Sequence, residues 1–489
     1  MHTRLLPVCL VALALVAQTF AASAAATTPP GPDEITNGPE LRWRPCSDAE
    51  CATLEVPLDD TMVGGPTIGL RLIRYQALDP DRRIGSLLVN PGGPGASGVD
   101  YVAAAATSLP TELQDRFDIV GFDPRGVGQS AGVDCTDDLD PYFALEFSPA
   151  NEQERAELVA GAKELVAACE ASEGAILPYL STDRAARDID RIRAALGDEQ
   201  LTYLGYSYGT YLGSWYAEQF PDRVRALVLD GAVDPALDAT DVQVQQSVGF
   251  ERALDLFLRD CARDDSCEFH NDGEPGAAYD RLRAAVADAP IPAEDGRTVN
   301  GTLFDTGVLQ LLYSGRDAWP SLAEALATAA EGDGATMLDV ADLYTGRIDE
   351  GEYDDITESF LAIGCADGPP VGGLDGLRAI EDLAAAAAPR LGRAVVNNSL
   401  PCAVWPVEAA PPAALHARGA PPMLVLGTRA DPATPLAWAK GLARQLDEGV
   451  LVTAGGERHT AFGGGNRCID RIVVRYLVAL DVPDDPTRC

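Results

Sequence analysis

A serine held at the apex of a tight turn can be made into a nucleophile, and one stretch of this chain has the residues for it. Leu201 to Leu204 reads as a short apolar strand, Gly205-Tyr206-Ser207-Tyr208-Gly209 as a turn, and the residues from about Thr210 to Phe220 as a helix that stops at Pro221. In the pattern G-x-S-x-G the glycines leave room for the crossing strand and helix. The helix amino terminus points free N–H groups at the place where negative charge develops. A serine needs a base, and the base needs an acid that orients it.

Histidine is scarce, which narrows the search for the base. Beyond the first residues the chain has His270, His416 and His459. His459 follows the strand Gly449–Thr453 in a glycine-flanked loop, at the carboxyl end of a sheet strand, where such a base belongs. His270, beside Cys267, and His416, ahead of a strand, read as surface or capping residues. The acid should follow the preceding strand, and Asp431 stands four residues past Gly427. The alternative reading of Asp431 is a turn or N-cap aspartate, and Asp230, after an earlier strand, is the reserve. The oxyanion formed by attack on a carbonyl needs preorganised donors. These are the backbone N–H of Tyr208 and one from the loop after the strand Ser86–Asn90, where Gly93 is favoured because Pro94 has no N–H.

The elements that must position these residues alternate along the chain. Strands are expected at 54–58, 68–75, 86–90, 117–123, 201–204, 223–230, 422–427 and 449–453. Helices are expected at 151–171, 182–196 and 468–480. Buried strands separated by helical stretches argue for an α/β class with a mostly parallel sheet covered on both faces. After Asp234-Pro235 the strand signal fades for about 180 residues and Ala-rich helices alternate with polar loops, as in a lid or cap.

Residues 1–26 have the features of a secretory signal: Arg4, an apolar run from Leu5 to Val16, and small-residue cleavage sites near Ala24–Ala26. Residues 27–40 are a Thr/Pro/Gly-rich lead-in. The expected domains are a core at 41–234, a mainly helical cap at 235–415, and the remainder of the core at 416–489. Setting aside Cys9, ten cysteines remain, an even number that suits an exported protein with disulfides. Spacing does not determine connectivity; sequential pairing, 46–51, 135–169, 261–267, 365–402 and 468–489, is the expectation. The cysteines are scattered, with no C-x-x-C, so neither a metal nor another cofactor is expected. The formal charge of −38 opposes binding to nucleic acid or anionic lipid, and neither is an expected partner. The oligomeric state stays open.

Taken together, the chain resembles the tripeptidyl-aminopeptidase branch of the α/β-hydrolases, which is related to proline iminopeptidases and common among secreted actinobacterial enzymes. The resemblance is carried by Asn90-Pro-Gly-Gly-Pro-Gly95, Gly121-Phe-Asp-Pro-Arg-Gly-Val-Gly-Gln-Ser130, Arg187-Asp188 and Leu196-Gly197 in the 182–197 stretch, and Gly205–Thr210. It continues through Leu229-Asp-Gly231, Asp234-Pro235, Ala362–Asp367, Asp431–Pro435 and His459-Thr460, and so spans nearly all of the chain after the leader. It implies an α/β-hydrolase fold with a helical cap, a triad of Ser207, Asp431 and His459, and a serine exopeptidase releasing tripeptides or short N-terminal peptides through an acyl-enzyme. Two positions depart from the pattern. Proline iminopeptidases have histidine where Pro91 stands, and glycine often occupies the position of Arg458. An aminopeptidase must hold a free α-amino group, and Asp367, with Glu358 behind it, is the candidate carboxylate for that substrate. A carboxylesterase would use the same triad, and a non-catalytic binding protein on the same fold is the remote alternative.

Overall fold

The computed structural model describes residues 41–489 except 294 and 295. The expected leader at 1–26 and lead-in at 27–40 lie outside the described residues. The central sheet begins with β1 (Arg44–Cys46), β2 (Ala49–Pro57), β3 (Thr67–Tyr75), β4 (Gly85–Asn90), β5 (Phe117–Phe122), β6 (Leu201–Tyr206) and β7 (Val224–Asp230). Two small antiparallel pairs follow, β8 (Ile291–Pro292) with β9 (Thr298–Val299) and β10 (Arg347–Asp349) with β11 (Glu352–Tyr353). The sheet then resumes with β12 (Met423–Thr428), β13 (Gly449–Ala454) and β14 (Thr487–Arg488).

Strand order in the sheet is β1-β2-β3-β5-β4-β6-β7-β12-β13-β14. The pairs β1–β2, β2–β3 and β3–β5 are antiparallel, and every pair after them in this order is parallel. Parallel strands need both faces covered, and β4, β5, β6 and β12 are buried along their whole length. Alternate residues feed two separate apolar cores. Leu88, Val120, Tyr203 and Val425 pack on one face, while Leu87, Ile119, Leu204 and Leu424 pack on the other, as the two-residue side-chain period of a strand requires. Chain order reverses between β4 and β6, so the loops leaving those two strands diverge and open a crevice at their carboxyl ends.

The expected elements are present within a few residues of their bounds. The helix after the turn starts at Tyr208 rather than Thr210. The short strands β1 and β14 lacked any pattern long enough to read. Among the described residues between β7 and β12, none adds a strand to the central sheet. The chain there forms helices such as Ala239–Cys261 and Gly301–Tyr313, which share an apolar cluster around Phe250, Leu254, Phe304 and Leu312, and Ile356–Asp367, which packs through Leu361 and Ile363 into another cluster with Phe143 and Leu158. All five sequential disulfides are formed. Among the described residues no helix is long and apolar enough to cross a membrane.

Candidate active site

Ser207 sits at the end of β6 with φ 53° and ψ −122°, a conformation costly for any residue with a Cβ. The surroundings enforce it. Its N–H donates to the Asp230 carbonyl at 2.8 Å. A Cβ on Gly205 would lie 2.4 Å from the Gly209 carbonyl oxygen, and one on Gly209 would lie 2.7 Å from Asn90 Oδ1. Strand, turn and helix therefore pass so closely that only glycine fits at either flank. The helix Tyr208–Gln219 starts directly after the serine, leaving the Tyr208 N–H without an intrahelical acceptor.

The loop after β4 lies against this turn. A Cβ on Gly92 would stand 3.0 Å from Ser207 Cβ and 3.1 Å from the Tyr208 nitrogen. The loop is held at one end by Asn90, whose Oδ1 accepts the Gly92 N–H at 3.1 Å. Further on it is held by Asp123, which accepts from Ser97 Oγ at 2.6 Å and from the Val99 N–H at 3.1 Å. Among the described residues neither the Gly93 nor the Tyr208 N–H donates to a protein acceptor. The Asp-Pro-Arg-Gly motif beside this loop is architectural. Arg125 is buried and its guanidinium bonds both oxygens of Asp188 at 2.7 and 2.9 Å.

Asp431 and His459 meet on the loops after β12 and β13. The imidazole Nδ1 lies 2.9 and 3.0 Å from the two carboxylate oxygens. Asp431 is fully buried and also accepts the N–H groups of Ala433 at 3.0 Å and Thr434 at 2.8 Å. Burial pulls the imidazole pKa down, but the charge and hydrogen bond of Asp431 outweigh it, and the net shift is upward. With Nδ1 engaged, Nε2 is left as the free ring nitrogen. It is buried and has no hydrogen-bond partner among the described residues. The ring abuts the same backbone as the serine: a Cβ on Gly231 would be 3.0 Å from His459 Cε1, one residue from the carbonyl that anchors the Ser207 N–H. Asp230, the reserve acid, does other work. Its carboxylate, pushed up to about 6 by burial, accepts the N–H groups of Ala461 at 2.9 Å and Phe462 at 2.7 Å and so braces the histidine loop.

A cavity of about 500 Å³ opens beside this arrangement and is lined by Gly93, Ser207, Tyr208 and Asp367 among others. Thr434 and Tyr313, which also line it, connect it to the histidine. Thr434 Oγ1 is 3.3 Å from Nδ1, and the Tyr313 ring meets the imidazole edge-on at 5.4 Å. Asp367 accepts the Thr182 N–H at 2.8 Å and lies 3.5 Å from the Tyr208 hydroxyl, which also bonds Thr182 Oγ1. Burial pushes its carboxyl up to about 7. Glu358 corrects the expectation. It lies outside the cavity lining, buried, with its Oε1 accepting the N–H groups of Cys135 at 3.0 Å and Thr136 at 3.1 Å. Nine residues separate it from Asp367, two and a half helical turns, so the two side chains point to different sides of one helix. Tyr313 was missed because nothing in a lone tyrosine at a helix end marks it.

Comparison with known proteins decides the family. The family described as alpha/beta hydrolase fold matches residues 85–272, and the one described as TAP-like protein matches residues 388–489. Serine protease Hip1 of Mycobacterium tuberculosis is 36% identical, covering 92% of this chain and 91% of that protein. The chain belongs to the α/β-hydrolases. Within that family it is a TAP-like serine hydrolase of the peptidase or esterase kind. Its relatives include carboxylesterase B of Mycobacterium tuberculosis, 36% identical over 95% of this chain and 94% of that one. Tripeptidyl aminopeptidase of Streptomyces coelicolor is 32% identical over 89% and 82%.

Proposed function

We propose that this α/β-hydrolase is a secreted serine aminopeptidase that releases short N-terminal peptides through an acyl-enzyme on Ser207. The observation that carries the reading is the imidazole of His459, pinned through Nδ1 by Asp431 and presenting a free, buried Nε2 beside the strained turn that holds Ser207. In the first step Nε2 takes the Ser207 proton as Oγ attacks the peptide carbonyl. The Gly93 and Tyr208 N–H groups receive the developing oxyanion. His459 then protonates the leaving amine, and water, deprotonated by the same imidazole, releases the acyl group. Asp431 fixes the tautomer and stabilises the imidazolium.

The segment 235–415 acts as the cap, with 41–234 and 416–489 as the core. Asp367, on a cap helix and at the cavity wall, is the carboxylate that would receive the substrate's α-ammonium. Export follows from the leader-like residues 1–26 and is supported by the five disulfides. The substrate is a peptide with a free N-terminus.

The test is a fluorophosphonate probe followed by a pair of assays. Wild type is labelled and Ser207→Ala is not; a free-amine tripeptide anilide is cleaved far better than its N-acetylated form. Equal cleavage of the two anilides would remove the aminopeptidase reading. Preference for a short-chain nitrophenyl ester, with neither anilide cleaved, would establish the carboxylesterase reading, which the 36% identity to a carboxylesterase supports.

A further inference from the structure

A second groove, of about 600 Å³, lies on the side of the molecule where β13 and β14 end the sheet, and none of its lining residues lines the first cavity. Five of its lining residues are charged, and four of these are cations: Arg429, Lys440, Arg444 and Arg488 against Asp485. This is unexpected in a chain with 75 acidic and 37 basic residues. Elsewhere the fold commonly surrounds its arginines with carboxylates; Arg390 alone has Glu251, Asp255 and Asp280 around it. Among the described residues none of the four groove cations forms an ion pair. The one acid in the groove is already engaged, its Oδ1 accepting the Leu451 N–H at 3.0 Å.

Gathering four cations against one carboxylate leaves a net positive charge and mutual repulsion, and a concave wall concentrates the resulting field. The cations stand on elements that are held in place. Lys440 and Arg444 are one helical turn apart on the helix Leu436–Gln445. Arg429 directly follows β12, its N–H donating to the Ala454 carbonyl at 3.0 Å. Arg488 is on β14, opposite Thr453 of β13, and the next residue is tied back by the Cys468–Cys489 disulfide. A binder built on fixed elements loses little freedom when a ligand arrives. Guanidinium forks suit the paired oxygens of phosphate or carboxylate. The strongly negative remainder of the surface repels a long polyanion, so the groove suits a short one.

We infer that the groove lined by Arg429, Lys440, Arg444 and Arg488 is a binding site for a compact polyanion carrying two or more phosphate or carboxylate groups. The whole protein is titrated in a calorimeter with sodium tripolyphosphate and, separately, with propane-1,2,3-tricarboxylate, and sulfate at matched ionic strength serves as the control. Saturable binding of either polyanion at one site per chain, tighter than sulfate, supports the site, and the stronger of the two arms identifies its chemistry. In Lys440→Glu/Arg444→Glu the affinity falls about tenfold per reversed charge, while the circular dichroism melt stays that of wild type. If that variant does not fold, Lys440→Gln/Arg444→Gln is read instead, with the same direction of loss. Absence of saturable binding overturns the proposal. So does binding no tighter than sulfate, or equal binding by a folded variant. A groove that proved to be a self-association surface, with the substitutions abolishing a dimer and no polyanion taken up, would overturn it as well.

Discussion

The turn that carries Ser207 and the loop that carries His459 are held by different means. The turn is fixed by its own glycines and by the two adjoining strands of the sheet. Gly205 and Gly209 let strand and helix cross, the Ser207 N–H is bonded to the Asp230 carbonyl at the end of β7, and the turn packs against Asn90, at the end of β4, and Gly92 just beyond it. The histidine loop is fixed from outside. Its 455–456 stretch is exposed glycine, and its restraints come from distant parts of the chain. Asp431 holds the ring, Asp230 holds the following N–H groups, and the segment 313–317 holds the other side. There the Tyr313 carbonyl accepts the His459 N–H at 2.8 Å, Arg316 pairs with Glu457 at 3.2 Å and Asp317 stands 3.5 Å from Arg458. Gly315, at φ +62°, packs so tightly that a Cβ would be 2.7 Å from the Glu457 carbonyl oxygen. Ser207 is thus positioned by the core sheet, whereas His459 is held in addition by the helical insertion.

That contrast can be broken at several points, and the expected effects descend in size. Ser207→Ala should lower kcat by about 10⁶-fold, leaving what binding and the oxyanion donors supply; single-turnover assays measure it, and a loss under about tenfold would detach the serine from the chemistry. Asp431→Asn should cost ~10³–10⁴-fold through the wrong tautomer. The same substitution should move the acid limb of kcat/KM to lower pH. A raised imidazole pKa means that His459 becomes an available base only as pH climbs through a value above that of an ordinary histidine, and Asp431 is what raises it. A pH–rate profile with an unmoved limb would separate the pair.

Gly315→Ala sharpens the comparison. Strain at positive φ and the clash with Glu457 should displace the histidine loop and lower kcat by about tenfold, with KM little changed. A change at this distance from the nucleophile that left kcat intact would show that the loop is held without the insertion. The smallest effect concerns the cavity wall. With its carboxyl pushed up to about 7, Asp367 loses its charge as pH falls through that value. KM for a free-amine peptide should therefore rise several-fold on acidification. Asp367→Asn should raise KM at pH 8 by a similar several-fold, about the value of one partly screened charge pair, and abolish the pH dependence. An N-acetylated substrate should respond to neither change.

The legibility of each part follows from how local its cause is. The turn at Ser207 was readable because strand, glycines and helix are contiguous. The pairing of Asp431 with His459 was readable because each follows a strongly patterned strand, β12 and β13. Asp230 and Asp431 looked alike in sequence, each an aspartate near a strand end, and the distinction lies in which part of the histidine loop each meets: the imidazole for Asp431, the Ala461 and Phe462 N–H groups for Asp230. Asp367 and Glu358 were likewise two acids on one helix, and only the helix's placement set one on the cavity and the other under the Cys135–Thr136 backbone.

The amino-acid sequence on its own determined the class of fold, the order of its strands along the chain, the even set of cysteines and the three residue types needed to activate an alcohol. All of these are written in short-range pattern: period two in strands, glycine where backbone must turn, a cap where a helix starts. Tertiary structure alone decided which carboxylate faces the imidazole, that Tyr313 and Gly315 of the insertion hold the histidine, and that four scattered cations share one groove. Those outcomes depend on where side chains far apart in the polymer are carried when the sheet twists and its loops meet, and no local pattern encodes such distances.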